Sequence, residues 1–196
     1  MQKDNQIINA ARRALADQSI ISIYSDSEDT GKFEVVIPIF ITETVLISRR
    51  FSPIGHYDGL FSQLIEDIYR IESNGAYEKK IAVLSQNCRE DFLAIDDTSK
   101  EKEISSENPH IVLLDHAFKN ELMVELELFG SGLQDAMGIV SYVDENEVTM
   151  LQYSDTGKQD STAVIKAGAI SAVMCDHEEA RALMQLIAKE SMSYLL

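Results

Sequence analysis

The feature that most limits what this chain can fold into is a repeat. The stretch from Gly31 to Glu72 reads as short strands folded over one another, and the stretch from about Gly130 to Met174 reproduces its pattern. Adding 102 to the first numbering lays Ile37 on Ile139, Glu43 on Glu145, Ser52 on Ser154, Gly55 on Gly157, Asp58 on Asp160, Ile68 on Ile170 and Leu84 on Leu186. Conservative pairs share that register: Phe40 with Tyr142, Ile41 with Val143, Phe51 with Tyr153 and Ile71 with Val173.

Around the repeat the hydrophobic period changes from two to three-and-four. Ile7, Ile8, Ala11, Ala14 and Leu15 form one helical stripe over Asn5–Asp17. Strands are expected around Ile21–Ile23, over Phe33–Ile41, Thr44–Phe51 and Tyr57–Gln63, and in a last short piece from Leu64 to Ile71 entered at Glu66-Asp67. Pro38 cannot donate to a ladder, which requires an edge or a bulge there. A helix beginning near Tyr77 closes the first half.

The second half repeats the order. A helix follows Pro109, with Ile111, Leu114 and Phe118 on one face. Leu122, Val124, Leu126 and Leu128 then alternate with Met123, Glu125 and Glu127, as in a half-buried strand. Strands are expected over Met137–Val143, Glu147–Tyr153, Ser161–Lys166 and Ala169–Met174, and a closing helix over Glu178–Ala188 with Asp176 as its N-cap.

These elements define a mainly β chain with helices (α+β), in two tandem units. Unit boundaries are expected at 1–88 and 109–196, with the acidic, polar stretch 89–108, containing SKEKEISSEN, as linker. At 45% hydrophobic and 26% charged residues each half can bury a core.

Helix, five short strands and helix, with tight turns between strands, resembles the Sm-like barrel, a strongly bent five-stranded sheet. That resemblance implies two five-stranded bent barrels, each with an N-terminal and a closing helix. The family's first motif places a Gly in the second strand and an Asp at the following turn, which Gly138 and Asp144 match; the Asn of its nucleobase pocket falls near Val148. Its second motif falls at Ile165-Lys166-Ala167-Gly168, with the Gly displaced by one. In the first half Val36 and Thr42 replace the Gly and Asp, and Leu64, Ile65, Glu66 and Asp67 stand at the second motif.

Charge points away from nucleic acid. Asp plus Glu number 33 against 17 Lys plus Arg, a net charge of -16, which repels a polyphosphate. RNA binding through an altered pocket is therefore the weaker alternative, and a small-ligand-sensing role between the two units a further one. The N-terminal MQKDNQIINAARRALAD lacks an apolar run and no segment is long enough to span a bilayer, so a cytoplasmic location and no membrane partner are expected. Cys88 and Cys175 are expected to be reduced core residues.

The chemistry-bearing residues concentrate in the first half: Arg49-Arg50, His56-Tyr57-Asp58-Gly59 and Glu66-Asp67-Ile68-Tyr69-Arg70. If the hairpins bring them to neighbouring strands, opposite charges pair across the sheet. Alternatively Arg49, Arg50 or Arg70 receives an acidic partner segment, with Tyr57 as an aromatic contact and His56 and Asp58 beside it. The histidines, His56, His110, His116 and His177, have no helical metal spacing. No nucleophile elbow, P-loop or dinucleotide fingerprint is present. The sequence thus points to a non-enzymatic interaction or scaffold module without metal or cofactor, which binds a protein partner or a second copy of itself, as a homo-oligomer, through sheet edges or the polar cluster.

Overall fold

The computed structural model describes residues 5–26, 29–86, 95, 108–129 and 136–193, with side chains to residue 189 in the final helix. Its contacts divide the chain into unit 1, Met1–Leu93, and unit 2, Ala94–Leu196. The expected linker lies outside the described residues except for Ile95 and Asn108.

Unit 1 begins with α1 (Gln6–Asp17). Asn5 caps it, its side-chain oxygen accepting from Ile7 N (3.0 Å) and Ile8 N (3.4 Å), which satisfies donors that the first turn leaves open. Ile8, Ala11 and Ala14 are buried, and the helix packs on the second and fifth strands of its unit. Five strands follow: β1 (Ile21–Tyr24), β2 (Glu34–Ile41), β3 (Val45–Phe51), β4 (Tyr57–Leu64) and β5 (Arg70–Ser73). They are antiparallel in the order β5-β1-β2-β3-β4. Helix α2 (Ala76–Ser85) closes the unit.

Pro38 sits in β2, between β1 and β3, and the ladder to β3 shifts register between Pro38 and Phe40. The bulge accommodates a residue that cannot donate. The last stretch expected as one strand is a 3-10 turn, Ile65–Asp67, followed by β5.

Unit 2 has α3 (Ile111–Lys119), β6 (Met123–Leu128), β7 (Ala136–Val143), β8 (Glu147–Tyr153), β9 (Gln159–Lys166), a 3-10 turn at Ala167–Ala169, β10 (Ile170–Cys175) and α4 (Glu178–Ser193). Its antiparallel order is β10-β6-β7-β8-β9. Helix α3 packs on β7 and β10, as α1 packs on β2 and β5.

From β2 onward the offset of 102 is carried by the hydrogen bonds themselves. Thr42 N donates to Val45 O as Asp144 N does to Glu147 O; Gly55 N to Ser52 O as Gly157 N to Ser154 O; Ile65 N to Thr44 O as Ala167 N to Asn146 O. The β2 bulge recurs between Val140 and Tyr142. Asn74 and Asp176 both take positive φ, 61 and 54 degrees, before the closing helix. Gly55 and Gly157, at φ 80 and 83 degrees, lie so close to the closing helix that a side chain would meet Leu84 in one and the backbone of Leu186 and Ile187 in the other.

Before β2 the offset is 103. Asn108 takes the place of Asn5, its Oδ1 accepting from His110 N at 3.0 Å. Ser19 N bonds Ala14 O as Leu122 N bonds Ala117 O, and the left-handed residue after the helix is Gln18 in one unit and Glu121 in the other. Val124 faces Gly138 where Ile21 faces Val36. Unit 2 is therefore one residue shorter than unit 1 between its first and second strands, and the single offset read from the sequence is corrected for the first helix and strand.

Packing repeats with it. Ile20, Val35, Phe51 and Ile81 form a buried cluster under α2, joined by Ile37 and Ala82. Their counterparts Met123, Met137, Tyr153, Leu183, Ile139 and Met184 meet under α4. Asp176 is not the N-cap of α4: it precedes His177, the residue next to the helix start.

Candidate functional site

The polar residues singled out in unit 1 do not form one cluster. Arg50, on β3, makes an ion pair with Glu34 of β2 (Nε to Oε2, 2.9 Å) and another with Asp58 of β4 (Nη2 to Oδ2, 3.4 Å). A guanidinium on the middle strand thus ties both neighbours, and all three side chains are largely shielded. Arg49 occupies the next position of β3, facing Ile37 and Leu60 across the ladders.

Tyr57 is 3% exposed, so its ring belongs to the interior of the unit. The bulge between Arg49 and Phe51 pairs Phe51 with Tyr57. His56 is exposed at the β3–β4 turn; its backbone N donates to Ser52 Oγ at 3.2 Å and its carbonyl accepts from Ser52 N at 2.9 Å.

Arg70 stands elsewhere. It lies on β5, which pairs with β1 and is separated from β3 in the strand order by β1 and β2. Its guanidinium packs 4.6 Å from the centroid of the Tyr24 ring and pairs with Glu72, whose carboxylate accepts from Tyr24 Oη at 2.8 Å. Tyr24 and Arg70 hold the Glu72 carboxyl below its usual range, whereas burial, with the Glu72 bond, raises Tyr24. Phe33 (5.2 Å) and Tyr69 (6.3 Å) flank Tyr24, and Tyr77 meets Phe33 edge-on at 5.4 Å. Alternation hid this group, because Tyr24 ends one strand and Tyr77 begins a helix; the register Tyr24–Arg70 brings it together.

A second group missed in the sequence recurs in both units where the first strand meets the closing helix. In unit 1 the buried Ser22 hydroxyl donates to the buried carboxylate of Glu78, in the first turn of α2. In unit 2 the place of Ser22 is taken by Glu125, that of Gly75 by His177 and that of Glu78 by Ala180, so the carboxylate comes from the strand. Its Oε2 lies 3.1 Å from His177 Nε2. A carboxylate near a helix N-terminus is favoured by the peptide dipoles, whichever element supplies it.

The other histidines are interior. His110 is fully buried, and burial pushes it down to about 4 against a bond to the Ile170 backbone. His116 lies within 3.3 Å of Asn120, while Asp115 pairs with Lys119 at 2.8 Å. Cys175 is a buried free thiol raised by burial; Cys88 lies outside the described residues. Among the described residues no three His, Cys, Asp or Glu side chains are arranged to hold a metal, and no helix is long and apolar enough to cross a membrane.

The two fourth strands differ most. Along β4 every residue is buried except half-buried Asp58. Along β9 most residues are exposed, Val164 by 64%, and β9 ends the strand order with β8 as its ladder partner. An outer strand of eight residues presents a row of backbone donors and acceptors.

Comparison with protein-family models, curated proteins and solved structures finds no match to this chain.

Proposed function

We propose that this chain is a non-enzymatic interaction module of two Sm-like units that captures an extended protein segment along β9. The observation that carries the reading is the exposure of that eight-residue edge strand, complete at Asp160, Thr162, Val164 and Lys166 on one face and partial at Ala163 and Ile165 on the other. Addition of a strand supplies main-chain hydrogen bonds, with alternate side chains giving selectivity. β5 is a poorer edge: it has four residues, and Arg70 and Glu72 are paired across its surface. The Arg50 group favours a structural role, since its charges are matched by Glu34 and Asp58.

Acidic turns weigh against RNA. The β2–β3 turn and the 3-10 turn after β4 are joined by the bond from Ile65 N to Thr44 O and carry Glu43, Glu66 and Asp67. Burial and the neighbouring Glu66 raise Asp67. The test compares proteins retained from a lysate by the wild-type chain and by Val164→Glu, alongside a low-salt titration with an oligoribonucleotide. Loss of a retained protein in the variant supports the reading. An unchanged set, with oligoribonucleotide binding that salt reverses, overturns it.

A further inference from the structure

Resting on the β9 reading, we infer that the segment taken is basic, with apolar residues at alternate positions. Tyr142 of β7 pairs with Thr149 of β8, which pairs with Val164 of β9, so these three side chains form one row on one face of the sheet. Tyr142 is 49% exposed, and the row runs out to the open edge. The other face is the covered one, since Val148 and Met150 beneath the same strands are fully buried.

The same row in unit 1 is Phe40, Ile47 and Ser62, of which Ile47 and Ser62 are fully buried. What unit 1 covers, unit 2 presents to solvent. An incoming strand beside β9 would extend the row and set an apolar side chain against Val164.

Charge selects the rest of the segment. Unit 2 has 19 acidic against 7 basic residues, and unit 1 has 14 against 10. Beside the row stand Asp144, Glu145 and Glu147 at one turn, with Asp155 and Asp160 towards the other, against Lys158 and Lys166. Asp144, at the β7–β8 turn, accepts from Tyr142 Oη (2.7 Å), Asn146 N (2.8 Å) and Glu147 N (2.9 Å), and these bonds keep its carboxyl below its usual range.

The test titrates the full-length chain with a peptide of alternating valine and arginine and with one of alternating valine and glutamate, following backbone amide signals. The arginine peptide is expected to shift β9 and β8 amides and to bind at least about tenfold more tightly. Val164→Glu is expected to weaken it by about tenfold although it adds a negative charge, which separates docking on the row from unspecific attraction. Equal binding of both peptides at β9 overturns the charge inference and keeps the edge reading. Binding of neither overturns both, as does sedimentation showing that β9 is already paired with a second copy which Val164→Glu releases.

Discussion

Within their own units β4 and β9 hold the same place, one buried along almost its whole length and the other mostly exposed. The substitutions follow: Leu60 becomes Thr162, Ser62 becomes Val164 and Leu64 becomes Lys166. Backbone geometry has been kept while side chains were re-assigned to different surroundings. The difference teaches that strand order and turn bonds are set by a few local requirements, and that a strand's place in its unit does not fix how much of it is buried.

Gly138 tests that separation most severely. It stands where unit 1 has Val36, yet a Cβ there would run into the carbonyl of Leu151. Gly138→Val is expected to cost about 4 kcal/mol or more and to unfold unit 2, whereas Val36→Gly costs about 2–3 kcal/mol through a cavity. Denaturation followed by amide signals of β7 and of β2 reads each unit; tolerance of Gly138→Val would break the comparison.

Acid is expected to act mainly on unit 2. The folded value of His110, about 4, lies below that of a free imidazole, so between pH ~6.5 and ~4 the unfolded chain binds a proton that the folded chain refuses. Stability therefore rises with pH across that window, and acidification removes about 3 kcal/mol from unit 2. The one histidine of unit 1, His56, is exposed. Hydrogen exchange of β7 and β8 against β2 and β3 checks this, and His110→Gln should flatten the difference.

Gly55→Ala and Gly157→Ala sharpen the comparison from the other side. Both residues have φ near +80 degrees and both touch the closing helix, so each change is expected to cost about 2 kcal/mol. Costs that differ by more than about 1 kcal/mol would show that the turn is packed differently in the two units. The smallest effect concerns Ser48, the counterpart of buried Met150: its fully buried hydroxyl has no hydrogen-bond partner among the described residues. Ser48→Ala should change stability by less than about 1 kcal/mol, in the stabilising direction.

Much of this fold was legible because turns speak in short range. Ser52 and Ser154, Gly55 and Gly157, and the closing helices announce the repeat in their own residues. The shift to 103 was hidden because every identity used lies between Ile37 and Leu84, where the offset is 102; Asn5 and Asn108, the two caps, carried the missing signal. The candidate site was less legible. Tyr57 and Arg50 look available in a linear sequence, but cross-strand pairing buries one and neutralises the other. Arg70 stands beside them only if Leu64 to Ile71 runs as one strand; the 3-10 turn at Ile65–Asp67 instead leads into β5, which pairs with β1.

Cross-strand proton contacts between β6 and β7 test the duplicated architecture most directly. Two units sharing one strand order, displaced by 103 before β2 and by 102 after it, require Val124 opposite Gly138 as Ile21 is opposite Val36. Nuclear Overhauser contacts between those two pairs are predicted in solution. Contacts placing Met123 opposite Gly138, or β6 beside a strand other than β7 and β10, would contradict the account.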